Sequence, residues 1–227
     1  MNIYGLDKLT LLDYPDKTAC IIFTPCCDVR CVFCHNAQLA RSKRTVSNVS
    51  EDDFFEFLKT RVGLLNGVVI TGGEPTLQDD LIPFMKKIRD LGFLVKLDTN
   101  GLHPDVLETV INTGYVDYIA MDIKNCSELY SLTAGCVVDT EKIRKSIRLI
   151  MESGLEYEFR TTVSPSYISP ENIENLTKKI KGCRAYYIQK YVDSSNTICK
   201  CIEPDDEYIQ QCLEAAQQNV PNTYIRG

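Results

Sequence analysis

Four cysteines lie within nine positions of one short segment, TPCCDVRCVFCHN at residues 24–36. Deprotonated cysteine thiols are ligands for zinc and for iron–sulfur clusters. Two sets of three are available, because Cys27, Cys31 and Cys34 have the spacing C-x3-C-x2-C, whereas Cys26 in place of Cys27 gives C-x4-C-x2-C. Three thiolates on one loop can bind three irons of a four-iron cluster, and the fourth iron then stays open to a small molecule.

Zinc held by three cysteines and His35 is the alternative metal site. His35 directly follows Cys34, and adjacent residues on a short loop seldom both reach one tetrahedral ion. Structural zinc sites also usually take their ligands from two separated pairs. The spacing therefore favours an iron–sulfur cluster over zinc, and either metal site over thiols that are merely buried.

Three other polar motifs each follow an apolar run of strand length: TGGEP at 71–75, LDTNG at 97–101 and MDIK at 121–124. The carboxyl ends of parallel strands meet at one edge of a sheet, so we expect Glu74, Asp98, Asp122 and Lys124 to share a cleft. Each motif also has a structural explanation. The two glycines can form a turn, the aspartates can cap loops, and Lys124 can be the ion-pair partner of Asp122.

Arg160 stands within a further half-apolar run, EFRTTV. A charged side chain in the middle of a strand is costly unless it is paired or functional. The alternatives are an ion pair with Glu158, an exposed sheet edge, and contact with a bound ligand.

The elements that must position these residues alternate regularly along the chain. Predicted strands cover residues 18–24, 67–71, 93–98, 117–123, 155–163 and 185–192. Predicted helices cover residues 51–61, 80–91, 104–112, 139–153, 170–181 and 205–219. This alternation predicts an α/β fold with a mainly parallel sheet, either an open doubly wound sheet or a partial barrel with fewer than eight strands. No linker divides residues 1–227, so we expect a single domain.

Composition restricts the class of protein. The chain has 227 residues, of which 44% are hydrophobic and 25% charged, as in a globular protein with a sizeable core. A net charge of −6 argues against broad nucleic-acid binding, and no apolar run is long enough to predict a membrane-spanning helix. Eleven cysteines without a secretion signal predict a cytoplasmic protein with free thiols and metal ligands rather than disulfides.

The cysteine motif C-x3-C-V-F-C-H-N at 27–36 resembles that of radical S-adenosylmethionine (SAM) enzymes. Within them it looks like the branch that activates glycyl radical enzymes. The segment LTLLDYPDKTACIIFTPCC at 9–27 is most similar to activating proteins of anaerobic ribonucleoside-triphosphate reductase. The resemblance runs from the N-terminus to about residue 192, and it implies a partial (β/α)6 barrel.

This resemblance implies an activity. A 4Fe–4S cluster would reductively cleave SAM to a 5′-deoxyadenosyl radical, and the enzyme would install a glycyl radical on a partner, first of all an anaerobic ribonucleotide reductase. The electron would come from a low-potential donor such as flavodoxin or ferredoxin. The alternatives are another small radical SAM enzyme that acts on a peptide or pterin-like molecule, and a non-catalytic zinc or iron–sulfur module.

The resemblance also implies roles for individual residues. The cluster ligands are Cys27, Cys31 and Cys34, and Cys26 is not a ligand. The expected SAM-binding residues are Phe33, His35, Gly72, Gly73, Glu74, Asp98, Thr99, Asp122, Lys124, Arg160 and Val192. Asp98 and Asp122 are also the expected ligands of a monovalent cation.

Three positions depart from the family pattern, since relatives usually have Gly at Cys26, Asn at Asp28 and often Gly at Asp16. Valine at position 192 also replaces a histidine of the formate-lyase branch, so that only a backbone or apolar contact to adenine remains there.

A second metal site is a weaker hypothesis, formed by Cys183, Cys199, Cys201 and Cys212. The other cysteines are predicted to be small apolar fillers, namely Cys20, Cys126 and Cys136.

Overall fold

The computed structural model describes residues 1–194 and 197–226. The chain forms two compact units that alternate along the sequence. The first consists of Met1–Asp28, Gln38–Thr99 and Asp105–Ile119, and the second of Val29–Ala37, Asn100–Pro104 and Ala120–Gly227. The division falls within the cysteine loop, between Asp28 and Val29, and again between Ile119 and Ala120.

The strands of the first unit follow one another in the sheet in chain order. They are β1 (Gly5–Thr10), β2 (Ala19–Thr24), β3 (Gly67–Gly72) and β4 (Leu94–Thr99), and β5 (Tyr118–Asp122) crosses the boundary. β1 runs antiparallel to β2, whereas β2, β3 and β4 are parallel. The interior of β3 is completely buried, as expected for a parallel strand that is covered on both faces.

Four helices connect these strands: α1 (Ala37–Arg41), α2 (Glu51–Lys59), α3 (Leu81–Asp90) and α4 (Pro104–Thr113). The sequence predicted Ser50 as the N-cap of α2, and its side chain does accept a hydrogen bond from the backbone NH of Asp53. A short 3-10 helix, Pro75–Leu77, follows β3 directly.

The second unit continues the same pattern. Its strands are β6 (Glu156–Val163), β7 (Tyr186–Lys190) and β8 (Thr223–Arg226), and its helices are α5 (Tyr130–Ala134), α6 (Thr140–Glu152), α7 (Pro170–Thr177) and α8 (Asp206–Gln217). Two 3-10 helices lie at Ser127–Leu129 and Lys178–Ile180. β6, β7 and β8 are parallel neighbours.

The predicted α/β class and the mainly parallel sheet are confirmed. All six predicted strands and all six predicted helices are present, with ends that differ by a few residues. The sequence did not predict β1, β8 or the short helices α1 and α5. β8 has only four residues and depends on a distant contact, a bidentate ion pair between Arg226 and the completely buried Glu158.

Along the described chain, no helix is both long enough and apolar enough to cross a membrane.

Candidate functional site

The cysteine loop begins where β2 ends and is fixed by backbone hydrogen bonds within each unit. In the first unit, the NH of Cys27 donates to the carbonyl of Ala40 at 3.1 Å. In the second, the NH of Val32 donates to the carbonyl of Thr133 at 3.1 Å, and the NH of Cys34 donates to that of Cys31 at 3.0 Å. Cys27 and Cys31 are buried and Cys34 is half-buried, so the thiols are sheltered from water.

Helix α5 is joined to the cysteine loop by more than one contact. The NH of Arg30 donates to the carbonyl of Ala134 at 2.9 Å. Gly135 ends the helix in a left-handed conformation, and a Cβ at this position would overlap the carbonyl oxygen of Arg30. The sequence analysis assigned no role to this segment, because the contact is visible only in the folded chain.

Cys26 has an unusual backbone conformation. Its φ is +67°, and Asp16, at +56°, is the one other non-glycine residue with positive φ in the described part of the chain. Both are positions where the resemblance noted from the sequence usually or often has Gly. The carbonyl of Cys26 accepts a hydrogen bond from the NH of Glu74 at 2.8 Å. The left-handed turn therefore brings the cysteine loop against the TGGEP motif.

We expect Cys26→Gly to stabilise the protein slightly. A non-glycine residue in the left-handed region costs about 1–2 kcal/mol, and the extra freedom of glycine in the unfolded chain returns about 0.5–1 kcal/mol of that. The net gain should be about 0.5 kcal/mol in the free energy of unfolding, measured from urea midpoints. Lys17→Gly, at an exposed residue with negative φ, is the matched control and should destabilise. A lower midpoint for Cys26→Gly would contradict the strain argument.

The two glycines of the TGGEP motif allow its backbone to lie in close contact with the backbone of the cysteine loop. Gly72 has φ +114°, and a Cβ there would overlap backbone atoms of Thr24. A Cβ on Gly73 would overlap the carbonyl oxygen of Cys26. The space beside these two glycines is thus filled by backbone of residues 23–26, and whether they also contact SAM stays a prediction.

Gly73→Ala should therefore be strongly destabilising. The added methyl group meets backbone atoms, which cannot move aside as a flexible side chain can, so we expect a loss of about 3 kcal/mol. Gly5→Ala is the matched control, because its nearest neighbour would be the Phe23 side chain at an ordinary 3.6 Å. Urea denaturation of both variants tests this, and equal midpoints would show that the close approach at Gly73 is not needed.

Glu74 is a buried carboxylate whose Oε1 accepts three hydrogen bonds. They come from the NH and hydroxyl of Thr76, at 3.1 and 2.5 Å, and from the hydroxyl of Thr99 at 2.8 Å. Glu74 also caps the 3-10 helix that follows β3. Two of the predicted SAM-binding residues, Glu74 and Thr99, are thus hydrogen-bonded to each other at the ends of β3 and β4.

Asp98, at the end of β4, is held by a lysine that the sequence analysis did not single out. The Nζ of Lys96 lies 2.5 Å from Oδ1 of Asp98. Lys96 is buried, although it interrupts an otherwise apolar strand, FLVKLD. That interruption, two residues before a predicted site aspartate, is the signal from which this pair could have been predicted.

Asp122, Lys124 and Arg160 form a charged cluster in the second unit. Oδ1 of Asp122 accepts from Nε of Arg160 at 2.8 Å, and Oδ2 from Nζ of Lys124 at 3.2 Å. Burial alone would raise the pKa of Asp122, but the charges of Arg160 and Lys124 outweigh it and lower that pKa well below its usual range. For Lys124, the carboxylate outweighs burial and raises its pKa. Asp122 and Lys124 are therefore both charged at neutral pH.

The structure decides between the alternatives for Arg160. Its side chain is 12% exposed and lies in a strand that pairs with β7, so the exposed-edge alternative is wrong. Glu158 is within 3.8 Å of Arg160, but the shorter ion pair is the one to Asp122 on the preceding strand. Whether Arg160 also contacts SAM stays a prediction.

A positive charge, that of Lys124, and the aromatic ring of Phe33 lie in the region of Cys31. The Nζ of Lys124 lies 6.0 Å from the ring centroid of Phe33. Burial raises the pKa of the Cys31 thiol, while the charge of Lys124 acts to lower it. The hydroxyl of Tyr130 is buried near Lys124 and Cys31. Buried thiols with a neighbouring cation fit the ligands of an iron–sulfur cluster, which bind as thiolates.

Two of the predicted SAM-binding residues lie at the surface. His35 is exposed, with its ring 5.7 Å from that of Tyr191, and Val192 is exposed just beyond β7. A neighbouring segment touches the cysteine loop, since the NH of Cys199 donates to the carbonyl of Val32 at 3.0 Å. The sequence did not predict this contact for the Cys-Lys-Cys motif at 199–201.

The cysteines form neither disulfides nor a site for a single ion. All eleven lie in the described ranges, where each has a free thiol. Across residues 1–194 and 197–226, no three His, Cys, Asp or Glu side chains converge closely enough to hold one metal ion. A four-iron cluster binds each thiolate at a different iron, so it does not need such convergence.

Several predicted site residues fall in different units. Glu74, Asp98 and Thr99 belong to the first, and Asp122, Lys124 and Arg160 to the second. The shared cleft that the sequence analysis expected for these side chains stays a prediction.

Comparison with known proteins gives a consistent result. The family model described as "Radical SAM superfamily" matches residues 21–181. A protein of Methanocaldococcus jannaschii, whose assigned name is glycyl-radical enzyme activating enzyme, is 33% identical over 235 residues, 99% of this chain and 95% of that protein. A 7-carboxy-7-deazaguanine synthase of Thermococcus kodakarensis is 27% identical over 182 residues, 72% of this chain and 70% of that protein.

Solved structures support the fold. Streptococcus suis SuiB bound to S-adenosylmethionine matches with a TM-score of 0.73 at 18% identity, over 91% of this chain and 50% of that one. This chain thus spans half the length of that structure. The predicted fold class, an open α/β arrangement of the partial-barrel type, is confirmed by this match.

Proposed function

The chain belongs to the radical SAM superfamily, and on that premise we propose that it is an activating enzyme that installs a glycyl radical on a partner enzyme. Membership of the superfamily implies a 4Fe–4S cluster and SAM as cofactors. The observation that carries the proposal is the similarity to the Methanocaldococcus protein that bears the name of an activating enzyme, because it extends over nearly the full length of both chains.

The residues of the cysteine loop suit the cluster. We assign Cys27, Cys31 and Cys34 as its ligands, supported by their burial or half-burial and by the nearby charge of Lys124. Cys26 is left out, because its role in the left-handed turn against Glu74 already accounts for its position.

We assign the remaining predicted residues to SAM. Gly73 and Glu74 would receive its amino group, Lys124 and Arg160 its carboxylate or ribose, and the backbone around Phe33 and His35 its adenine. The further predicted contacts are Gly72, Asp98, Thr99, Asp122 and Val192. The fixed carboxylate, ammonium and guanidinium groups described above support this assignment, because they are already oriented by hydrogen bonds.

A bound cluster and SAM would supply the difficult chemistry, the one-electron reductive cleavage of SAM, at the site that Cys27, Cys31 and Cys34 would hold. The protein must orient the reacting groups and exclude water from them. Transfer of a hydrogen atom from a partner's glycine would then give 5′-deoxyadenosine and the glycyl radical.

The partner we propose is an anaerobic ribonucleoside-triphosphate reductase, with flavodoxin or ferredoxin as electron donor. Support comes from the N-terminal segment LTLLDYPDKTACIIFTPCC, which resembles activating proteins of that reductase. We place the reaction in the cytoplasm, because eleven cysteines without a disulfide suit a reducing compartment.

The test is anaerobic reconstitution with iron and sulfide, followed by addition of SAM, a strong reductant and the candidate reductase. Electron paramagnetic resonance should detect a glycyl radical, and chromatography should detect 5′-deoxyadenosine in proportion to it. Reductase with its radical glycine replaced by alanine is the control. Formation of 5′-deoxyadenosine without a radical would refute this partner, and absence of both products would refute the enzymatic proposal.

A second candidate function is a reaction on a small molecule, such as the pterin-like one considered from the sequence, and a relative named 7-carboxy-7-deazaguanine synthase favours a small-molecule reaction. Incubation of the reconstituted enzyme with a reduced pterin, followed by mass spectrometry, distinguishes the two. A new product that depends on SAM would favour this second function over the first.

A further inference from the structure

Lys96 is a cation buried inside the first unit. It lies in the middle of β4, and its side chain is 1% exposed. Its Nζ is 2.5 Å from Oδ1 of Asp98 and 5.8 Å from the ring centroid of Tyr118. A buried ammonium group is tolerated only where charged or polar partners compensate for the loss of water, so this contact fixes both side chains.

The geometry of the strand explains how the contact is made. Residues two apart in a strand point to the same face, so Lys96 and Asp98 share one side of β4. Asp98 is the penultimate residue of the strand, and Lys96 lies one layer deeper. The long lysine side chain reaches from that deeper layer to the carboxylate near the strand end.

Both aspartates that the family resemblance assigns to a monovalent cation already have cationic side chains as partners. Asp98 has Lys96, and Asp122 has Lys124 and Arg160. A sodium or potassium ion at either carboxylate would have to compete with a tethered cation, whose effective concentration is far higher than that of a free ion. The charges on this chain therefore do not fit a monovalent-cation site.

We propose that Lys96 takes the place of the monovalent cation, so that the enzyme binds SAM without sodium or potassium. Lys96 acts as a positioning residue, because its ammonium holds the Asp98 carboxylate and does not itself need to touch the cofactor. The inference rests on the proposed function, which assigns Asp98 to the SAM site.

The test is SAM binding to the reconstituted holoenzyme in buffers of equal ionic strength whose only monovalent cation is sodium, potassium or choline. The wild-type dissociation constant should differ by less than about twofold between buffers, because their equal ionic strength keeps general screening the same. Lys96→Gln, which keeps a hydrogen-bond donor but loses the charge, should bind about 10- to 100-fold more weakly in choline. Sodium or potassium should restore part of its affinity, and Lys96→Arg should behave like the wild type.

A second measurement does not involve SAM. Sodium should raise the thermal unfolding midpoint of Lys96→Gln relative to choline, and should leave that of Lys86→Gln unchanged, because Lys86 is an exposed lysine paired with Asp90. A wild type that needs sodium or potassium would overturn the inference, as would a folded Lys96→Gln that responds to neither ion. If Lys96→Gln unfolds in every buffer, the wild-type measurement decides. Absence of SAM binding in all buffers would instead refute the proposed function.

Discussion

Replacement of Cys27, Cys31 or Cys34 by alanine, one at a time, should abolish the iron–sulfur absorbance and reduce 5′-deoxyadenosine formation to the level without enzyme. Each thiolate is expected to bind a separate iron, so loss of any one thiol leaves a second iron without a protein ligand. The measurements are the visible spectrum and iron content after anaerobic reconstitution, followed by the SAM cleavage assay.

Cys26→Ala is the matched control, because it removes the neighbouring thiol and leaves the three proposed ligands in place. Its φ of +67° is as unfavourable for alanine as for cysteine, so the backbone cost is similar in both proteins. We expect its cluster absorbance and activity to be retained. Loss of the cluster in Cys26→Ala together with its retention in Cys27→Ala would reverse the assignment in favour of the C-x4-C-x2-C spacing.

Asp122→Asn should lower the free energy of unfolding by about 3 kcal/mol. The substitution removes the negative charge that lies between Lys124 and Arg160, and leaves two poorly hydrated cations, 14% and 12% exposed, without it. Breaking a buried charge pair costs about 3–5 kcal/mol, and we take the lower end because Asp122 itself is 29% exposed. Urea unfolding of the apoprotein at neutral pH measures the loss.

Asp90→Asn is the control for Asp122→Asn. Asp90 pairs with Lys86 on α3 at 2.7 Å, and both side chains are more than half exposed, so its removal should cost less than about 0.5 kcal/mol. Similar losses in the two variants would show that the cluster around Asp122 contributes no more than a surface ion pair.

The pH dependence of stability should also differ between wild type and Asp122→Asn. The folded state lowers the pKa of Asp122 below its ordinary value of 3.8. The stabilisation from this carboxylate is therefore fully present above that value and is lost as the pH falls below it. Acid unfolding of the wild type should accordingly be steeper than that of Asp122→Asn, and identical profiles would contradict the lowered pKa.

Much of the candidate site was predictable from the sequence because its information is local. Three thiols within eight residues lie on one loop, whatever the rest of the fold does, and that they share a cluster stays a prediction. The TGGEP, LDTNG and MDIK motifs follow apolar runs that periodicity identifies as strands. Each motif is therefore predicted to lie at the carboxyl end of a parallel strand. The same regular alternation determined the α/β class.

The tertiary structure decided everything that depends on distance through space. Arg160 pairs chiefly with Asp122, 38 residues away, rather than with Glu158 in its own strand, because β5 and β6 are neighbours and the charges meet there. The carbonyl of Cys26 leaves no room for a side chain at position 73, and the cysteine loop is hydrogen-bonded to α5. Neither contact could be predicted from the residues close to it in the sequence.

Lys96 shows the same division within a single strand. The sequence by itself determined that Lys96 and Asp98 lie on one face of a strand, because side chains alternate along an extended backbone. It did not determine whether that face is buried, and only burial turns an ordinary lysine into a fixed partner of a site carboxylate. The sequence therefore specified which groups are available for chemistry, and the packing of strands and loops decided which of them are held together.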